Sequence, residues 1–154
     1  MREILFRGKR IDNGKWVKGS FMQNGEACKP ASRPDLPFSD CYIFKKTSED
    51  IIDYFGEKTV YFHTGAYHVD PATIGQYTGL TDKNGKKIFE GDIVWFLWVG
   101  KTMNFRIDFV SGEFLAVPVK QQEDVWAIRI SGQGKDFEVI GNIHDNPELL
   151  EETK

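Results

Sequence analysis

A chain of 154 residues is long enough to bury a core of its own, and a formal net charge of −3 excludes a protein that coats nucleic acid over its whole surface. Twelve Phe, five Tyr and four Trp, with fifteen Gly, favour strands and tight corners over helices. Cys28 and Cys41 make no disulfide framework or Cys-x-x-Cys pair, the start lacks an apolar signal segment, and no apolar run reaches membrane-spanning length; the expectation is a soluble cytoplasmic protein with free thiols and no membrane contact.

Residues 4–11 read as a strand with a glycine break, Asp12-Asn13-Gly14 as a turn, and residues 15–22 as the returning strand. Asn24-Gly25 offers a further turn into a weak strand at 26–29, followed by a loop over 30–39 that holds Pro30, Pro34 and Pro37. A short strand is expected at 41–44. Hydroxyl caps and early acids at 47–50 before Ile51-Ile52-Asp53-Tyr54-Phe55-Gly56 predict one or two helical turns. A strand resumes at 59–63, and Asp70-Pro71 forms a corner.

Residues 74–94 form the pivot of the chain. Asp82-Lys83-Asn84-Gly85 predicts a hairpin whose Asn-Gly pair takes the positive φ of a type I′ turn, and Glu90-Gly91-Asp92 makes a second corner. The longest apolar run, 93–99, follows. In Phe105-Arg106-Ile107-Asp108-Phe109 the apolar residues alternate, which gives one buried and one wet face. Strands are expected at 114–119 across Ser111-Gly112, at 126–130 and at 137–141. Asn146-Pro147-Glu148 predicts a final helical turn. The fold class expected is mostly β with little helix: an N-terminal antiparallel sheet and a C-terminal SH3-like β-barrel.

Three stretches carry a family resemblance. Val69-Asp70-Pro71-Ala72-Thr73-Ile74-Gly75-Gln76-Tyr77-Thr78-Gly79-Leu80, with Asp82-Lys83-Asn84-Gly85 and Ile88-Phe89-Glu90-Gly91-Asp92-Ile93-Val94, is similar to the signature of the YopX family of bacteriophage and prophage proteins. The opening Phe6-Arg7-Gly8-Lys9-Arg10 with Asn13-Gly14-Lys15-Trp16-Val17-Lys18-Gly19, and the closing Val139-Ile140-Gly141-Asn142-Ile143-His144-Asp145-Asn146-Pro147-Glu148-Leu149-Leu150, resemble that family's ends. The resemblance implies a sheet region at 1–70 with a variable insert at 26–68, a barrel at 71–145 and a short turn and tail at 146–154. It implies no reaction and carries no catalytic or binding residue across. Taken singly, Gly79, Gly85 and Gly91 suit corners, Asn84 suits a left-handed turn position, and Asp92 suits capping of nearby amides.

Residues with reactive side chains do not fall into a catalytic pattern. His63, His68 and His144 with the two cysteines match no zinc spacing, so they read as ordinary loop or half-buried residues and no metal or cofactor is expected. Glu90, Asp92 and Asp108 can be drawn as a carboxylate cluster, but acids beside a turn glycine commonly serve backbone amides. Gly132-Gln133-Gly134-Lys135 lacks the length and hydroxyl of a phosphate loop.

Two surfaces stand out. Residues 1–20 carry Arg2, Arg7, Lys9, Arg10, Lys15 and Lys18 against Glu3 and Asp12, whereas the last twenty carry six acids and two bases. Arg7, Lys9, Lys15 and Lys18 beside Phe6 and Trp16 are the candidate nucleic-acid contact, weighed against a solvated strand face with Trp16 in the core. Trp95, Phe96, Leu97 and Trp98 are the candidate interface, because an all-apolar strand needs cover on both faces. The cover is either the N-terminal sheet or another subunit. The expected function is a non-enzymatic phage or prophage accessory protein acting through an unidentified protein partner or a homo-oligomer. The alternative is a nucleic-acid-binding module.

Overall fold

The computed structural model describes residues 3–23, 41–52, 58–98, 100–120 and 126–151. Among them the protein is mostly β. Eleven antiparallel strands are joined by turns and by three single 3-10 turns, Pro71–Thr73, Gly134–Asp136 and Pro147–Leu149, with no α-helix. The chain divides into two compact units, Leu5–Ile74 and Gly75–Lys154, the second also including Glu3 and Ile4.

In the first unit β1 (Phe6–Lys9), β2 (Trp16–Gln23), β3 (Cys41–Ile52) and β4 (Lys58–Val69) lie in the order β4-β3-β2-β1. The turn between β1 and β2 closes through Gly14, whose φ of +66° lets its N–H reach the Arg10 carbonyl at 2.8 Å. Val17, Cys41, Ile43 and Val69 form the core, with Phe6 and Phe21 packed against it. The strands approach so closely that a Cβ on Gly19 would lie 2.0 Å from the Phe44 carbonyl oxygen. The end of β1 then meets the end of β4: Ile11 N–H donates to the His68 carbonyl at 3.0 Å, and Arg10 bridges Val69.

The caps at 47–50 and the start of the expected helical turns at 51–52 are strand instead, and residues 53–56 of that segment lie outside the described residues. β3 continues to Ile52, paired residue by residue with β4 from Cys41↔Val69 to Ile52↔Lys58. Thr47, Ile51 and Ile52 are β-branched, and a continuous ladder outweighs a local cap signal. The turn at Asn24-Gly25, the strand at 26–29, the proline-rich loop and Cys28 lie outside the described residues.

In the second unit β5 (Gly75–Thr81) and β6 (Lys87–Phe89) form a hairpin. The strands β7 (Asp92–Trp98), β8 (Lys101–Val110), β9 (Glu113–Pro118), β10 (Ile128–Arg129) and β11 (Glu138–Asn142) make a five-stranded sheet in the order β10-β9-β8-β7-β11. Ile88, Val94, Met103, Phe105, Ile107, Ala116, Ile130, Phe137 and Val139 build its core, lined by both hairpin and sheet. Phe105 and Ile107 are buried and Arg106 and Asp108 lie on the other face, as alternation requires. Among the described residues no pairing joins β10 to β11, so the sheet is open rather than a closed barrel.

The type I′ hairpin sits elsewhere than expected. Only Gly85 of the Asn84-Gly85 pair has positive φ, +81°. Its N–H donates to the Asp82 carbonyl, and the Asp82 N–H to the Lys86 carbonyl, which makes a three-residue loop with a glycine bulge. The two-residue turn is Ser111-Gly112, where both residues have positive φ (52° and 90°) between the paired Val110 and Glu113. Trp126 precedes β10 and is 77% exposed. The C-terminal turn forms at Pro147–Leu149 with Asn146 at its cap position, but the Asn146 side chain makes no cap bond to it. Its Oδ1 faces the Asn142 N–H at 3.4 Å instead.

Candidate interaction surfaces

The register of the first hairpin pairs Arg7 with Lys18 and Lys9 with Trp16, which places these four residues on one face. Phe6 falls on the opposite face, its ring 5.2 Å from Phe21, so it does not join the basic residues as the sequence suggested. The Arg7 guanidinium lies 4.8 Å from the Trp16 ring centroid and the Lys9 ammonium 5.5 Å from it. Trp16 is half-buried, whereas Arg7 is buried. Stacking a base on Trp16 would have to compete with these cations. Lys15 and Lys18 are exposed. Arg10 forks onto Asp12, whose carboxyl is held below its ordinary range by that side-chain hydrogen bond.

The apolar run divides by parity. Val94 and Phe96 point into the second unit's core, where the Phe96 ring lies 4.9 Å from Phe137 and 6.1 Å from Phe105. Ile93 is buried on the outer face. Its strand partner Gly141 has no Cβ because Leu149 and Asn146 press against it; a Cβ there would meet the Leu149 Cδ1 at 2.8 Å. Trp95 is half-buried under the Lys83 ammonium, 5.0 Å from its ring, and Lys83 also pairs with Glu138 at 2.7 Å. Leu97 is 56% exposed. The Trp98 side chain lies outside the described residues. Phe96 is therefore a core residue, and only Leu97 and part of Trp95 remain as surface.

Two grooves flank the C-terminal turn. One, about 330 Å³, is lined by Thr102, Asn104 and Val119 of the sheet side and by Leu149 and Glu151. The other, about 510 Å³, is lined by Arg106, Val117, Trp126 and Leu150. Leu97 does not line the first but pairs across the strands with Thr102, which does. Arg106 is held by a fork onto Asp108, with contacts of 2.6 and 2.7 Å, and that hydrogen bond raises the guanidinium pKa.

Among the described residues the reactive clusters drawn from the sequence are not assembled. Asp108 is engaged with Arg106, and Asp92 is buried and accepts the Phe89 N–H at 2.8 Å, as its place beside the turn suggested. Glu90 lies 3.5 Å from the Gln76 N–H. Among the described residues no three His, Cys, Asp or Glu side chains are placed to hold a metal ion. Cys41 is buried, His68 stacks on Tyr42 at 5.1 Å, and the His63 side chain and Cys28 lie outside the described residues. In Gly132-Gln133-Gly134-Lys135, Gly134 is packed against the Thr81 carbonyl and Lys135 reaches the Thr81 hydroxyl at 3.3 Å.

The family model for YopX protein matches residues 6–151. The chain belongs to the YopX family. No curated protein matches it. The crystal structure of protein EF1440 from Enterococcus faecalis is similar in fold: 23% identical, covering 98% of this chain and 100% of that one, with a TM-score of 0.52.

Several residues of the YopX-like signature have a structural role. Gly79, Gly85 and Gly91 all hold positive φ, between 78° and 89°. Asn84 does not, and its backbone N–H instead donates to Asp82 Oδ1 at 2.8 Å. The residue that sequence reasoning missed is Asp82. It is fully buried, and its two oxygens accept three backbone N–H groups: Asn84 and Lys86 of its own turn at 2.8 Å and Val139 of β11 at 3.0 Å. Burial pushes this carboxyl up, but the three amides outweigh it and the pKa is lowered. Asp at the first position of a turn was the available signal, since Asp side chains commonly bond the backbone just ahead.

Proposed function

We propose that this YopX-family chain is a non-enzymatic accessory protein of a bacteriophage or prophage, working in the host cytoplasm by binding another protein. The observation that carries the reading is the outer face of the second unit's sheet. There the exposed Leu97 and Trp126 stand beside two grooves along the C-terminal turn. Exposed aromatic and aliphatic anchors beside concave surface are what protein interfaces use. We further infer that the second unit is a curved, SH3-like arrangement. In support, Ile88 of β6 and Phe137 share one core with Phe105 and Ile107 of β8. Among the described residues no helix is long and apolar enough to cross a membrane.

The second reading, nucleic-acid binding, draws on the exposed Lys15 and Lys18 of the first hairpin. Burial of Arg7 and its contact with Trp16 weaken it. Affinity capture from infected host lysate, with and without nuclease, separates the two. The protein reading expects a nuclease-resistant partner that is lost from the L97E/W126A variant. Retardation of short DNA or RNA that weakens steeply with salt, with no protein retained after nuclease, would reverse the order.

A further inference from the structure

The described sheet edges are treated very differently. β10 is two residues long and carries Arg129. β11 carries Glu138 and a register break between Val139 and Gly141, and its backbone is engaged from the side by the 82–85 turn: Lys83 N–H donates to Phe137 and Val139 N–H to Asp82. Short length, charge and bulges are the usual ways of blunting an edge. β4 carries its one charged residue, Lys58, at its very start and shows no register break against β3. It is twelve residues long, and residues 59–69 contain no Asp, Glu, Lys, Arg or Pro. Arg10 and Ile11 cover only its last two residues, at Val69 and His68.

The ribbon that β4 forms with β3 also lacks a third described strand over most of its length. β2 pairs with β3 only as far as Phe44, whereas β3 and β4 continue together from Lys45↔Gly65 to Ile52↔Lys58. That ribbon extends about 27 Å at the usual rise per residue with no third described strand. A two-stranded ribbon is marginal by itself in water, and a third or fourth strand is what stabilises it.

We propose that the edge of β4 that no other described strand pairs, over residues 58–67, pairs antiparallel with the same edge of a second copy of this chain. Identical strands related by a twofold axis satisfy each other's backbone donors and acceptors, and such a contact closes on itself as a dimer. The pairing turns two isolated ribbons into a four-stranded layer, β3-β4 of one copy with β4-β3 of the other. A nucleic-acid groove is a poorer fit for the ribbon, because Lys45, Lys46 and Lys58 are offset by Glu49 and Asp50. This inference rests on the first unit alone and does not depend on the partner surface of the second.

The test is sedimentation velocity with light scattering on the full chain, from low to high micromolar concentration, beside the variant T64K/A66K. Thr64 and Ala66 are exposed on β4, so the lysines load the edge with charge without entering the core. The expected result is a dimer mass that grows with concentration, with dimerisation weakened about tenfold or more in a variant of unchanged circular dichroism. A monomer throughout, a dimer that the folded variant retains, or a larger mass that nuclease abolishes each overturns the proposal. Should the variant unfold, hydrogen exchange of the native chain decides. Amides of residues 59–67 are expected to gain protection as concentration rises, and exchange independent of concentration overturns the proposal.

Discussion

At Asp82 a buried carboxylate gathers three backbone amides and ties the β5–β6 turn to β11. At Gly19, in the other unit, no side chain takes part: strands meet because there is no Cβ to keep the Phe44 carbonyl away. The first device is electrostatic and depends on ionisation. The second is steric and indifferent to pH. The cores differ in the same direction. The second unit packs Phe89, Phe105 and Phe137 at 1% exposure or less, while Ile43 is the largest fully buried side chain among the described residues of the first. Close backbone approach makes do with small side chains, whereas an open five-stranded sheet must be filled with rings.

Phe105→Ala gives the largest expected effect. Removing a fully buried ring that touches Phe96 costs about 3–5 kcal/mol, seen as early denaturant unfolding of residues 75–151 by hydrogen exchange. Equal loss of protection in both units would mean that they unfold as one, and the comparison between them would collapse. Next comes Asp82→Asn. The amide replaces one acceptor oxygen by a donor and leaves a buried N–H unmatched, at a cost of about 2–3 kcal/mol. The sign with pH follows from the lowered folded pKa. The stabilisation is complete above the unfolded value of about 3.9 and is lost as pH falls through the folded value. The native second unit should therefore loosen in acid at the Lys86 and Val139 amides, and the Asn variant should lose that pH dependence. An unaltered acid profile in the variant would show that Asp82 is not the sensitive group.

Gly19→Ala comes third. A methyl group driven against the Phe44 carbonyl costs about 1–3 kcal/mol, confined to the first unit and the same at acid and neutral pH. A pH-dependent loss there would erase the steric-versus-electrostatic distinction. Lys83→Ala is the smallest: its exposed contacts with Trp95 and Glu138 are worth about 0.5–1 kcal/mol, and salt should remove part of that. Trp95 fluorescence should shift with little change in the melting temperature.

Much of the fold could be read from local pattern. Alternation placed Phe105 and Ile107 inside and Arg106 and Asp108 outside, and Ser111-Gly112 marked the β8–β9 turn. The segment at 47–52 misled because caps and acids are local signals, while the strand there is set by pairing with residues 58–63. Of the candidate surfaces, the pairing of the basic hairpin was legible, but not that Arg7 is buried against Trp16. For the apolar run, parity was legible. Which parity faces the core was not, because that depends on Phe137 and Leu149, about 40 and 50 residues further along.

By itself the sequence determined the family, the β class and the positions of the corners, because glycine conformation and strand alternation act over a few residues. Only the tertiary structure decided what the turn at 82–85 is for. Its buried carboxylate reaches Val139 across 57 positions of chain, a contact no local pattern encodes. The same holds for the edge of β4, which stands at the end of its sheet among the described residues. The run of residues 59–69 without Asp, Glu, Lys or Arg is written in the sequence, but its place at the end of the order β4-β3-β2-β1 is not.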